Sequence, residues 1–359
     1  MPTESQQLRV LILRLGAMGD ILHALPAVTA LRMRHPEWFI GWAVEPQWRG
    51  LLAVEGAVVR GAAMPIVDQL HIVPAKEWGR RPLGAGTIGE IGQTRHELRA
   101  ARYDVCVDLQ GAVRSAVLGK WAHPHRLIGE EKPREWAAQY LFDERIATNG
   151  THVIEQAVEV ANAVAHEQLP ITLPWLPLSE GAERFCDARL YDAQLGGFNG
   201  RPFVILNPGA GWGAKRWPTE RYGELARLFA ERGFGVVINC GPGEEGLAAE
   251  VNATSGNAAL SLSPALDELI AMTRRSSLVI AGDTGPLHLA SALGKPVVGI
   301  FGPTDPARNG PFGGGRFRVL RHPESKRDHS RRAEPEAGLL TISACEVWSA
   351  AMELLDDAC

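Results

Sequence analysis

Apolar residues along this chain fall into short dense runs separated by longer amphipathic stretches. Leu8–Leu15 is apolar except at Arg9 and Arg14, the density of a strand buried on both faces of a parallel sheet. Similar runs recur at Phe39–Val44, Gln69–Val73 and Val105–Leu109. From Asp20 to Arg34, Ile21, Leu25, Val28 and Leu31 fall on one side, which predicts a helix. Pro26 predicts a kink or a restart within it. Strands alternating with helices imply a doubly wound parallel sheet. Three prolines within Pro170–Pro177 read as an interdomain linker. A second α/β set follows, with strands at Phe203–Asn207, Phe234–Asn239, Leu278–Ala281 and Val297–Phe301. Its helices are expected near Thr219–Arg232, Glu244–Thr254, Leu266–Ser276 and Leu287–Leu293, with Gly233 and Gly294 at C-terminal caps. His322–Gly338 reads as a polar, basic loop. Ile342–Leu355 carries the helical stripe Val347, Ala351 and Leu354. Three segments are thus expected: a Rossmann-like domain over 1–172, a second over 173–340, and a terminal helix within 341–359.

Size and charge narrow the class. A chain of 359 residues suits two domains with full cores. A composition of 45% apolar and 22% charged residues is that of a globular protein. The net charge of -4 gives no general pull toward nucleic acid. The five cysteines are scattered without a C-x-x-C pair, which argues against a disulfide framework or a zinc site and suits a reducing cytoplasm. No signal peptide or membrane span is legible, so a cytoplasmic protein able to dock on a membrane surface is expected.

Chemistry concentrates where strands end, because α/β sheets bind ligands beyond the carboxyl ends of their strands. Gly16-x-x-Gly19-Asp20 follows the first strand, and Asp20 there either caps the helix or accepts a proton from an attacking hydroxyl. The loop Asn207–Trp217 exposes backbone N–H groups at Gly209, Ala210 and Gly211, and Lys215 offers a mobile cation to a phosphate. It lacks the ending of a Walker A loop. Gly241-Pro242-Gly243-Glu244-Glu245-Gly246 matches G-x-G-x-x-G, yet it follows a later strand and Pro242 removes a donor. Glu244, or Glu245 beside it, reads instead either as a carboxylate facing a ribose diol or as a first-turn glutamate that only favours the helix dipole. Asp283-Thr284-Gly285 opens a helix whose N-terminus suits a diphosphate, with His288 one turn on, either facing that site or satisfied in the core. Asp108-Leu109-Gln110-Gly111 ends another strand. Lys76, Arg80, Arg81, Arg114, Lys120, Arg126, Lys132 and Arg134 make the first half cationic, which suggests an anionic acceptor or else a solvated basic face. No D-x-D pair is present, and His123-Pro124-His125 has no third ligand nearby, so no metal site is expected.

Five motifs in order resemble family 9 glycosyltransferases, the ADP-heptose:lipopolysaccharide heptosyltransferases, and look most like their type I. They are Met18-Gly19-Asp20-Ile21-Leu22-His23, Asp108-Leu109-Gln110-Gly111, Lys215-Arg216-Trp217-Pro218, Asp283-Thr284-Gly285-Pro286-Leu287-His288 and Phe301-Gly302-Pro303-Thr304-Asp305-Pro306. The resemblance implies a GT-B fold: two Rossmann-like domains facing across a cleft, with the last helix crossing back to the first domain. It implies an inverting, metal-independent transfer needing no cofactor, from ADP-heptose to the Kdo of a lipid A acceptor at the membrane surface. Asp20 would be the base and Lys215 would stabilise the departing diphosphate. Gly209, Ala210, Gly211, Lys215, Glu244, Asp283, Thr284, Gly285 and His288 would hold the donor. Gly19, Lys76, Arg80, Arg81, Gln110, Arg114, Lys132 and Arg134 would hold the acceptor. The glycine loop departs from the family's threonine pair, so backbone N–H contacts would replace hydroxyls. Three other readings stand beside it: a related transferase using another nucleotide sugar, an NAD-dependent oxidoreductase using the Gly241 fingerprint, and a non-catalytic nucleotide-sugar sensor.

Overall fold

The structure is a computed structural model that describes residues 7–82, 84–191, 197–313, 315–328 and 332–356. The chain divides into two compact units, Met1–Leu178 and Ser179–Cys359. The Pro170–Pro177 stretch therefore closes the first unit.

The first unit is built from β1 (Arg9–Leu13), α1 (Met18–Arg34), β2 (Phe39–Val44), β3 (Gln69–Ile72), α2 (Ala75–Arg80), α3 (Ala85–Ala100), β4 (Val105–Asp108), α4 (Val113–Trp121), β5 (Arg126–Glu130), β6 (Glu144–Ile146) and α5 (Val153–Ala165). Its six strands lie in the order β3-β2-β1-β4-β5-β6, all parallel. The central strands are apolar because helices cover both faces of such a sheet. Leu11, Leu13, Cys106 and Leu127 accordingly sit in one buried cluster. α1 neither ends nor restarts at Pro26: it runs unbroken from Met18 to Arg34. Burial of nearly every residue from Ile21 to Arg32 compensates the one backbone bond that proline removes.

The second unit repeats the plan with α6 (Glu180–Cys186), β7 (Phe203–Asn207), α7 (Thr219–Glu231), β8 (Gly235–Asn239), α8 (Glu245–Thr254), β9 (Leu260–Leu262), α9 (Leu266–Arg275), β10 (Leu278–Gly282), α10 (Gly285–Ala292), β11 (Val297–Phe301), α11 (Pro306–Asn309), β12 (Phe317–Arg321) and α12 (Ala344–Asp356). The strand order is β12-β11-β10-β7-β8-β9, again parallel throughout. Gly233 and Gly294 follow α7 and α10 with φ of +90° and +67°, the left-handed caps expected there.

In α12, Val347, Ala350, Ala351 and Leu354 are buried in the second unit's core beside Leu225, Phe229 and Ile300. The stripe is consumed by α7 and by the sheet of the same unit. The strands β5, β6, β9 and β12 were not anticipated, because they are short or interrupted by polar residues and flank the apolar centre of each sheet. Among the described residues no helix is long and apolar enough to cross a membrane.

Candidate active site

In the first unit, β1 ends at Leu13 and the chain turns through Gly16 into α1, with the Gly16–Ala17 peptide cis. A side chain at Gly16 would meet the Trp48 indole at 2.8 Å, so only glycine lets this turn lie against it. Asp20 is the third residue of α1. It does not occupy the N-cap position itself. Its Oδ2 accepts from the Ala17 N–H at 2.9 Å, reaching back over the helix start. Its Oδ1 lies 3.1 Å from Arg14 Nη2, and the side chain remains 41% exposed. Arg14 also donates to the carbonyl oxygens of Asp20 and Leu109, so one guanidinium ties the α1 turn to the end of β4. Arg14 was not anticipated as a site residue. The signal was present, since a cation near the end of a buried apolar strand must find partners.

The Asp108–Gly111 turn is held from within. Asp108 Oδ1 accepts from the N–H groups of Gln110 and Gly111, each at 2.8 Å, and Oδ2 accepts from Ser115 Oγ. Burial pushes this carboxyl up to about 6, against the opposing pull of those hydrogen bonds and of Arg14. Gln110 is buried, and its amide oxygen accepts from the Leu15 N–H at 3.0 Å, which locks the two strand ends together. Glu45, at the end of β2, is a further buried carboxylate. Burial raises its pKa while Lys76 and Arg114 oppose the rise, and Oε1 accepts from the Lys76 N–H.

The expected cations divide into two groups. Lys76, Arg80 and Arg81 follow β3, Arg114 follows β4, and Lys132 and Arg134 follow β5, so six exposed cations emerge beyond the same edge of the sheet that carries Gly19 and Asp20. Lys120 and Arg126 do not join them. Lys120 pairs with Asp143 at 2.6 Å and Arg126 with Glu144 at 3.1 Å, because α4 runs back to the opposite edge where β5 begins.

In the second unit the neighbouring strands β7, β8 and β10 end on one cluster. Asn207 donates to the Gly209 carbonyl and to Thr284 Oγ1, and accepts from Asn239 Nδ2 at 2.6 Å. Asn239 was not anticipated, although it ends an apolar strand. Lys215 is not a mobile charge here. Its Nζ sits 2.5 Å from Asp283 Oδ2 and 4.4 Å above the Trp212 ring. His288 takes the other oxygen of Asp283 at 3.0 Å and is buried. Burial would raise the Asp283 carboxyl, but His288 and Lys215 outweigh that effect and hold it well below the usual carboxylate range. Thr284 begins α10 without capping it, its hydroxyl turned onto the Gly282 carbonyl. Asn207 thus joins the glycine loop at Gly209 to the start of α10 at Thr284, and a helix start favours an anion.

The Gly241 fingerprint is already occupied by its own acids. Glu244 Oε2 accepts from the Gly241 N–H at 2.9 Å, and Glu245 Oε1 from the Gly243 N–H at 3.1 Å. A Cβ at Gly209 would fall 2.0 Å from Glu244, so the missing side chain is what brings that carboxylate against the glycine loop. The described residues of the polar, basic loop His322–Gly338 are tied in. Ala214 donates to the Arg332 carbonyl and accepts from the Glu336 N–H, each at 3.1 Å, while Glu336 is buried against Ser325.

A family profile, Glycosyltransferase family 9 (heptosyltransferase), matches residues 91–337. The chain belongs to glycosyltransferase family 9. The resemblance drawn from the five motifs is therefore borne out, and the protein is a glycosyltransferase. This family 9 enzyme is 28% identical over 311 residues to lipopolysaccharide heptosyltransferase 1 of Pseudomonas aeruginosa, spanning 85% of this chain and 82% of that one. It is 29% identical over 326 residues to lipopolysaccharide heptosyltransferase 2 of Escherichia coli, spanning 83% and 84%. Among solved structures, E. coli heptosyltransferase WaaC with ADP aligns at a TM-score of 0.78 and 24% identity, over 97% of this chain and 100% of that one. A family 9 glycosyl transferase from Veillonella parvula aligns at 0.81 and 20% identity, over 99% of each. The fold shared with these structures is GT-B.

Proposed function

We propose that this enzyme transfers L-glycero-D-manno-heptose from ADP-heptose to the Kdo of the lipopolysaccharide inner core, with inversion and without a metal ion. The observation that carries this reading is Asp20. It is a part-exposed carboxylate fixed by Arg14 and the Ala17 N–H, on the sheet edge from which six cations emerge. Asp20 takes the proton of the acceptor hydroxyl. The new bond forms at the anomeric carbon as the bond to ADP breaks, and the electron pair leaves on the β-phosphate oxygen. Lys215 and the N–H groups of Gly209–Gly211 and of the α10 start offset the charge that grows there. Asp283 and His288 orient Lys215, Thr284 and Gly285 contribute the helix start, and Glu244 takes the ribose hydroxyls.

The first unit binds the acceptor, through Gly19, Gln110 and the six cations, and the second binds the donor. Support for an ADP-sugar comes from E. coli WaaC, solved with ADP and with ADP-2-deoxy-2-fluoro heptose. Metal independence rests on the absence of any D-x-D pair in the sequence. Work at the cytoplasmic face of a membrane follows from the lipid acceptor. A second reading takes an acceptor that already carries heptose, and the comparable likeness to heptosyltransferase 2 favours it.

The test is ADP release from ADP-heptose with no acceptor, with Kdo-lipid A, and with its heptosylated product. Asp20→Ala is expected to lower acceptor-dependent release by about 10²–10⁴-fold with ADP affinity unchanged, and chelator should leave the wild-type rate unchanged. Transfer retained in Asp20→Ala overturns the base. Release from another nucleotide sugar alone overturns the donor.

A further inference from the structure

We propose that the loops beyond the carboxyl edge of the first sheet dock on an anionic lipid bilayer, with Trp136 and Tyr140 as the inserted pair. The inference rests on the lipid-linked acceptor proposed above. The 3₁₀ helix Trp136–Leu141 follows β5 and buries Ala138, yet it turns two large rings outward. Trp136 is 69% exposed and Tyr140 is 71% exposed. The rings meet edge to face, 5.8 Å between centroids and 87° between planes. Lone exposed apolar residues are ordinary. Two amphipathic rings presented together on one turn serve no core, and an apolar body with a polar tip suits a membrane–water interface.

The position of the pair adds to this. The turn is anchored to the motif loop of β4, since the Glu135 N–H donates to the Gly111 carbonyl at 2.8 Å and Glu135 accepts from the Val113 N–H at 2.9 Å. Beyond the same carboxyl edge stand Lys76, Arg80, Arg81, Arg114, Lys132 and Arg134, all exposed and, among the described residues, none in an ion pair. The exposed carboxylates of the same loops are Glu77, Glu131 and Glu135, so exposed positive charge outnumbers negative two to one. Cations along the edge from which an aromatic pair emerges complement anionic headgroups over acyl chains. A protein partner would require about 800 Å² from this side. Two rings of roughly 150–250 Å² each fall well short of that.

The experiment is flotation of the full-length protein with vesicles of phosphatidylcholine alone and of phosphatidylcholine doped with phosphatidylglycerol. Binding to the anionic vesicles only, reversed by salt, is expected. Trp136→Ser with Tyr140→Ser should lower the partition about tenfold or more. Lys132→Gln and Arg134→Gln should each lower it about fivefold. The aromatic double variant should keep its melting temperature and its rate on a deacylated, soluble acceptor, while losing rate on acceptor embedded in vesicles. No binding by wild type, binding unchanged in the double variant, or an equal loss on soluble acceptor overturns the proposal. Vesicle binding without turnover of ADP-heptose would sink the donor assignment and leave this surface standing.

Discussion

Asp283→Asn tests whether the Lys215–Asp283–His288 cluster is a buried, charge-matched unit. The carboxylate is 7% exposed, and its oxygens are divided between Lys215 at 2.5 Å and His288 at 3.0 Å. Asparagine keeps the shape and one acceptor but removes the charge, leaving the 13%-exposed Lys215 ammonium without its counterion. Removing one partner of a buried pair costs about 3–5 kcal/mol, and the residual solvent at Lys215 places this case near 3. With a urea slope of about 2 kcal/mol per molar, the midpoint of the second unit's transition should fall by about 1.5 M. Burial raises the Asp283 carboxyl, but His288 and Lys215 bring the net shift below the unfolded value, so the folded pKa is depressed. Its contribution is therefore complete above the unfolded pKa of about 3.9 and is lost as pH falls toward the folded value. The full difference from wild type should persist at pH 7. Adding Lys215→Met should recover most of the loss, because no lone charge remains. Saturating ADP should stabilise the single variant more than wild type, as the diphosphate replaces the missing counterion. A loss below about 1 kcal/mol, the level of a surface pair, or a double variant as unstable as the summed singles, would refute this reasoning.

Asp108→Asn should be more stable than wild type near neutral pH. The folded carboxyl is raised to about 6, so wild-type stability falls as pH rises from about 4 to 6, by about 2–3 kcal/mol relative to the variant. Urea titrations of both proteins at pH 4 and pH 7 check this, and a constant difference across that window would show that Asp108 ionises freely. Gly209→Ala puts a methyl 2.0 Å from the Glu244 carboxylate, which must swing off the Gly241 N–H. ADP affinity measured by calorimetry should drop about tenfold, the worth of one charge-assisted bond, with little change in melting temperature.

The two sheets were legible because parallel strands covered by helices must be apolar along their whole length. Phe39–Val44, Phe203–Asn207 and Val297–Phe301 coincide with β2, β7 and β11. Edge strands such as β9 and β12 were not, since these short, partly exposed strands carry serine or arginine among their apolar residues. The hot loops were legible for a related reason: glycine, aspartate and lysine at strand ends have few structural excuses. Their internal pairing was not. Nothing in the order of residues says that Lys215 rests on Asp283, that Gln110 locks Leu15, or that Arg14 reaches both Asp20 and Leu109.

By itself, then, the sequence determined the α/β class, the two-unit plan and the family, because these follow from periodicity and from motifs local in the chain. Only the tertiary structure decided which charges are satisfied and which remain available. It turned Lys215 from a free cation into one member of a buried pair and sent Lys120 and Arg126 to the opposite sheet edge. It also placed α12 in the second unit's core and raised Trp136 and Tyr140 to the surface. Those outcomes depend on contacts between residues distant in sequence, where burial and pairing set the energy of a charge or a ring and local pattern does not.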